Sequence, residues 1–206
     1  METMDKMLNL VKQIESISEA GLHFACNDYD KERFEQLQNI SLEMTSLLLN
    51  RPLVTLREEM VEKSGYKTPK VDVRAIVQNE KKEILMVREK FDGYWSLPGG
   101  WADIGLTIKE NVVKEVMEEA GIPVTAIRIL SVLDKKLYPH PRDIYYVYKV
   151  FIECQAQNFD IKPGMETLEV GFFPVEALPP LSLPRNLESQ ILLALSQLEK
   201  SSVYFD

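Results

Sequence analysis

Leu97-Pro98-Gly99-Gly100, followed after a loop by Lys114-Glu115-Val116-Met117-Glu118-Glu119-Ala120-Gly121-Ile122, is the stretch around which the chain is organised. A glycine pair at a turn lets backbone approach a metal ion or a phosphate closely, because glycine adds no side chain and tolerates unusual dihedrals. The acidic run after it predicts a helix from about Ile108 to Ala120. Thr107 and Glu110 have the spacing of a capping box, Gly121 supplies a left-handed stop, and Pro123 forbids continuation. Glu115, Glu118 and Glu119 stand at i, i+3 and i+4, so they share one face over an arc of ~100°. Carboxylates in the last turns oppose the negative end of the helix dipole and repel one another by a few tenths of a kcal/mol per pair. A divalent cation reverses that penalty. Oxygen ligands of this kind suit Mg2+, with Mn2+ able to substitute, because both ions keep several waters and are shared with substrate phosphates. A bare E-x-x-E-E is most often a solvated helix face; the glycine turn ahead of it is what turns the reading toward chemistry.

The rest of the chain sets limits on that chemistry. Its 206 residues suffice for one full core and a small accessory unit. A formal net charge of -8 gives no overall attraction for free duplex nucleic acid or an anionic membrane, so an anionic substrate needs local cations. Cys26 and Cys154 are too few and too far apart for a disulfide framework or a zinc knuckle, which fits a reducing cytoplasm. No basic flank with an apolar signal core opens the chain, and no run approaches the ~18 apolar residues of a membrane span.

From Met4 to Leu49 the apolar residues recur at helical spacing and predict two amphipathic helices, the first closed by Gly21 and the second capped by Asp30. A third helix is expected over about Leu53 to Lys63, ending before Ser64-Gly65. Residues 1–66 thus form a small all-helical domain, and 67–206 a second domain. Helices this few bury little by themselves, so the unit is expected to pack on the following domain, supporting a substrate cleft, or on a second copy of itself, homodimerisation being the natural inference. Beyond Pro69 the period becomes strand-like over Val71 to Gln78, Glu83 to Arg88, Val124 to Leu133, Ile144 to Cys154 and Leu168 to Phe173, with a hairpin turn at Asn79 to Lys82. A closing helix is expected over Asn186 to Leu198. Helices among mixed strands predict an α/β/α sandwich with a mixed sheet.

The glycine turn and acidic helix together resemble the Nudix box, G-x5-E-x7-R-E-U-x-E-E-x-G-U, with Gly100 as its first residue and Ile122 as its last. The likeness extends from about Lys70 to Phe173, and is greater to the bacterial CDP-choline and ADP-ribose pyrophosphatases with a helical N-terminal extension. It implies a Nudix sandwich and a hydrolase acting on a nucleoside diphosphate linked to X. Glu115, Glu118, Glu119 and the Gly100 backbone are then the metal ligands. Two positions depart from the box: Leu106 stands for its first Glu, and Lys114 for its Arg. In the family these two brace the loop on the helix, so weaker bracing with retained activity is expected, Lys114 turning to Glu110 instead.

Around the box, Glu166 and Glu169 are candidates for a further ligand or the general base. Arg88 and Lys90 are candidates for the diphosphate, or solvated cations. Tyr94, Trp95 and Trp101 either stack on a base or pack the turn. His140 and Arg142, in a proline-bounded loop, either cover the substrate or form an exposed turn. Arg74 and Arg185 either bind substrate or brace the fold, and His23 is structural. Attack by water on one phosphorus would release a nucleoside monophosphate and phosphorylated X. CDP-choline is the first expected substrate and ADP-ribose the second, with a sugar nucleotide or an RNA end behind them. The rival from another class is a Nudix domain kept as a ligand sensor or assembly module.

Overall fold

The amino-terminal periodicity becomes three helices in the computed structural model, which describes residues 2–60 and 68–206. They are α1 (Glu2–Phe24), α2 (Asp28–Leu49) and α3 (Leu53–Met60). Gly21 does not end α1; the helix runs through it, and an added Cβ would lie 2.3 Å from the Phe34 ring. Its glycine serves a close helix crossing rather than a stop. Asp30 is not the cap of α2 either, since Asn27 takes that place and its side chain accepts the Asp30 N–H at 2.9 Å. The expected end of α3 at Lys63, the Ser64-Gly65 stop and the boundary between 66 and 67 lie outside the described residues.

The fold divides into two compact units, and the helices share theirs with Arg142–Tyr146. Ile144, expected to start a strand, instead packs with Leu42, Leu56 and Met60 in the small core of the helical unit. That unit leaves much apolar surface outside: Met4, Met7, Leu10, Ile17 and Phe24 on α1, and Leu37, Ile40 and Leu47 on α2, are exposed.

The second unit holds Lys70–Pro141 and Val147–Asp206. Its elements are β1 (Lys70–Val77), β2 (Ile84–Glu89), β3 (Trp95–Ser96), α4 (Ile108–Ala120), β4 (Val124–Asp134), β5 (Val147–Ala156), β6 (Thr167–Phe173), α5 (Glu188–Ser196) and β7 (Tyr204–Phe205). One sheet has the order β1-β5-β4-β7, with β1 parallel to β5 and β4 antiparallel to it; the other, β3-β2-β6, is antiparallel. Alternation along β1 sends Val73, Ala75 and Val77 into a core closed by Val112, Val116 and Ala120 of α4. Ile76 belongs to the opposite core, closed by Ile191 and Ala194 of α5. The result is the expected α/β/α sandwich with mixed sheet pairing. The hairpin turns at Asn79, whose amide donates to Glu83 O, with Lys82 at φ 65°. Among the described residues no helix is long and apolar enough to cross a membrane.

Candidate functional site

The glycine turn is laid along β1 by three backbone hydrogen bonds: Ala75 N–H to Pro98 O at 2.8 Å, Val73 N–H to Gly100 O at 2.9 Å, and Ala102 N–H to Val71 O at 2.9 Å. Gly99 has φ +141°, and a Cβ there would fall 2.0 Å from Val73 O, so no other residue fits. Its N–H donates to Glu119 Oε2 at 2.8 Å. A Cβ on Gly100 would lie 3.2 Å from each carboxylate oxygen of Glu115. The turn therefore rests directly on the acidic face of α4, whose bounds and capping box are those expected from Thr107, Glu110 and Gly121.

The loop between turn and helix is held by residues the sequence did not single out. Asn111 is buried; its side chain accepts the Asp103 N–H at 2.7 Å and donates to Leu106 O and Thr107 O. Lys114 does not reach Glu110, which the capping box already engages through Thr107 N–H. It pairs instead with Asp103 at 3.0 Å and Glu118 at 3.1 Å. Asp103 thus supplies from an earlier position the loop carboxylate that Leu106 lacks. The loop is still braced on the helix.

Glu115 is half-buried and its carboxylate makes no hydrogen bond among the described residues; burial raises its pKa against the pull of Arg74 and Lys114. Glu119 is 7% exposed, and burial pushes it up to about 8 despite Arg74 and the Gly99 amide, with Glu89 and Glu115 adding to the push. Glu118 is more exposed and engaged by Lys114. Among the described residues no group of three or more His, Cys, Asp or Glu side chains is arranged to hold a metal ion. The donor set nonetheless fits Mg2+ or Mn2+. Two hard carboxylates with lone pairs unused, costly to charge when alone, stand beside a glycine backbone, and such ions take one or two carboxylates and fill the remaining positions with water and substrate phosphate.

The loop over residues 157–166 crosses the end of α4 and satisfies its last carbonyls. Lys162 N–H donates to Ala120 O at 3.0 Å, while Gly164 N–H at 3.2 Å and Thr167 Oγ1–H at 2.8 Å donate to Glu119 O. Glu166 follows in that loop with no side-chain partner among the described residues, its carbonyl accepting Lys90 N–H at 3.3 Å. Glu169 is paired with Arg88 at 2.8 Å, across the β2–β6 register.

Other candidates are placed differently. Arg88 also donates to Gly93 O, and Lys90 Nζ donates to Met165 O, so both cations are engaged by the protein in this structure. Arg74 is buried: its fork binds Asp72, which also pairs with buried Lys149, and Nη1 donates to Leu97 O at 3.1 Å. Arg142 lies in the helical unit, paired with Asp5 at 2.6 Å. Trp95 packs edge-on against Phe173 at 4.6 Å and is a packing residue, while Trp101 and Tyr94 are exposed and Lys70 stands 5.5 Å over the Trp101 ring. His140 is half-buried and contacts Leu183 O at 2.7 Å and the Gln190 side chain at 3.0 Å. Sequence reasoning also passed over Glu89, 3% exposed, whose carboxylate accepts Ser96 Oγ–H at 2.6 Å and pairs with Arg185 Nε at 2.7 Å.

Known proteins share both parts of the chain. Residues 68–194 match the family model described as NUDIX domain, and residues 5–59 match one described as UDP-X-like, N-terminal oligomerisation domain. The chain is 42% identical over 191 residues to Bacillus subtilis YjhB, named as a candidate ADP-ribose pyrophosphatase, covering 93% of this chain and 91% of that protein. A solved ADP-ribose pyrophosphatase from Streptococcus suis is 45% identical, with TM-score 0.60, over 68% of this chain and 100% of its own. A solved UDP-X diphosphatase is 27% identical, with TM-score 0.63, over 98% of this chain and 99% of its own.

Proposed function

The chain belongs to the Nudix hydrolase family, and from that premise we propose that it cleaves the pyrophosphate of a nucleoside diphosphate linked to a sugar, ADP-ribose first among them. The observation that carries the reading is the seating of Gly99-Gly100 on Glu119 and Glu115, which gathers backbone and hard carboxylates where a diphosphate is to be met. Glu115, Glu119 and the second lone pair of Gly100 O would hold Mg2+ or Mn2+, with Glu118 joining when Lys114 releases it. When bound, the cation neutralises the phosphates and lowers the pKa of a water. Arg74 fixes the Leu97 carbonyl and thereby the turn. Glu166 is the stronger general-base candidate of the two loop glutamates, because Glu169 is committed to Arg88.

The substrate order follows the relatives. Two are named for ADP-ribose and a third, aligned over nearly the whole chain, for UDP-X, which supports a nucleotide sugar ahead of CDP-choline. Incubating the purified protein and Mg2+ with ADP-ribose, UDP-glucose, CDP-choline and NADH, then separating products by chromatography, tests this. AMP and ribose 5-phosphate are expected from ADP-ribose; turnover of CDP-choline alone would reverse the order, and turnover of none would sink the hydrolase reading. The helical unit is proposed to form a homodimer, supported by its match to an oligomerisation domain and by its exposed apolar residues. The two free cysteines support a reducing, cytoplasmic setting.

A further inference from the structure

A diphosphate needs a cation with hydrogen-bond donors to spare, and the cations of the second unit differ in what holds them. Arg74 is buried against Asp72 and Leu97, Arg88 is neutralised by Glu169, and Lys90 is turned to a backbone carbonyl. Arg185 is held differently. Its Nε is pinned 2.7 Å from Glu89 Oε1 and its guanidinium lies 5.8 Å over the Phe91 ring, yet among the described residues its terminal nitrogens take no other partner. The side chain is 28% exposed and is therefore not closed off from solvent.

Both members of the pair are fixed from behind. Glu89 is locked by Ser96, three residues before Gly99, whose N–H donates to Glu119, so the pair is tied to the same short strand that carries the glycine turn. Arg185 is carried on a loop stitched to the glycine strand: Ser182 N–H donates to Trp95 O at 2.7 Å, Leu97 N–H to Asn186 Oδ1 at 2.9 Å, and Arg185 N–H to Ser182 O at 2.9 Å. One edge of the guanidinium is thus preorganised and the other is presented.

We propose that Arg185 is the phosphate-binding cation of this site, that Glu89 is its positioning residue, and that the exposed Phe91 ring walls the bound group. This rests on the nucleoside diphosphate reading above, and two assays keep the two claims apart: steady-state hydrolysis of ADP-ribose with Mg2+, and calorimetric binding of ADP with no metal added. Arg185→Gln is expected to raise KM about 10- to 100-fold with kcat little changed, and to weaken ADP binding equally, as loss of a charged hydrogen-bonded contact does. Arg185→Lys should restore only part, because a lysine cannot fork onto two oxygens. Glu89→Gln leaves the arginine charged but loosely held, and should give a smaller KM rise. Lys81→Gln in the hairpin, the charge control, should change neither quantity. Unmoved KM and ADP affinity in Arg185→Gln, folded by circular dichroism, overturns the assignment while leaving hydrolysis intact. If the protein hydrolyses nothing but Arg185→Gln still abolishes ADP binding, the assignment stands and the hydrolase reading fails.

Discussion

Glu119 is the residue on which the site's opposing demands meet. It is buried, leans on the Gly99 amide, and is held from charging freely by its own burial and by Glu89 and Glu115. On the proposed metal reading a bound cation would relieve that, so Glu119→Gln should lower kcat by at least about 100-fold while leaving the fold unchanged, measured by Mg2+-dependent turnover beside circular dichroism. A rate within a few-fold of wild type would remove Glu119 from the site. His140 makes a different demand. Burial, with Lys149 and Lys135, holds its imidazole down at about 4 against its contacts with Leu183 O and the Gln190 side chain. The unfolded chain protonates this ring near the ordinary histidine value, above the native one, so the stability is full above about pH 6.5 and drains as pH falls toward 4. Between pH 7 and pH 5 the loss from this group is about 1 to 2 kcal/mol, and urea unfolding of His140→Gln should lack it. Glu115 and Glu119 were legible in sequence because helical spacing alone aligns them. Glu89 was not, since its partners Ser96 and Arg185 are set by tertiary packing. The pairing of Arg88 with Glu169 was not legible either, because nothing local shows that β2 faces β6.

Among the elements, α4 was legible to the residue, because Thr107, Glu110 and Gly121 are local stop and start signals that need no partner. Two-residue strands carry no period, so β3 and β7 gave no signal, and Gly21 misled because a glycine needed for close packing looks the same as one needed for a turn. Gly164 is likewise a glycine needed for close packing. A Cβ on it would lie 1.6 Å from Glu118 O, so Gly164→Ala must push the 157–166 loop off the end of α4. A cost of about 2 to 4 kcal/mol in urea unfolding is expected, together with reduced turnover as Glu166 moves; an unchanged midpoint would show that the loop yields without strain. The rebuilt brace gives a sharper test, because it makes two changes interdependent. Asp103→Asn should reduce turnover by freeing the loop, and Leu106→Glu alone should add little while Asp103 already holds Lys114. Combined, they should restore turnover toward wild type, and additive effects would mean that Asp103 does not serve as the missing carboxylate.

For the whole molecule, the apolar surface is unevenly distributed. The second unit closes two cores around its sheets, whereas the helical unit buries only a few apolar side chains and leaves α1 with Leu10, Ile17 and Phe24 exposed at intervals of two helical turns. A stripe of that kind is costly in water at roughly 25 cal/mol per Å2, and a chain carrying net charge -8 gains solubility from its charge without covering the stripe. On the proposed homodimer, a second copy of the same helix would cover it by a symmetric interface, in which each stripe meets its own image. Leu10→Glu with Ile17→Glu places two carboxylates on that seam, and neither residue belongs to the buried set that joins the helices. Sedimentation should therefore fall from the mass of two chains to that of one while helicity by circular dichroism is kept. A variant that retains the dimer mass would place the interface elsewhere, and a wild-type chain already monomeric at micromolar concentration would leave the stripe without its proposed partner.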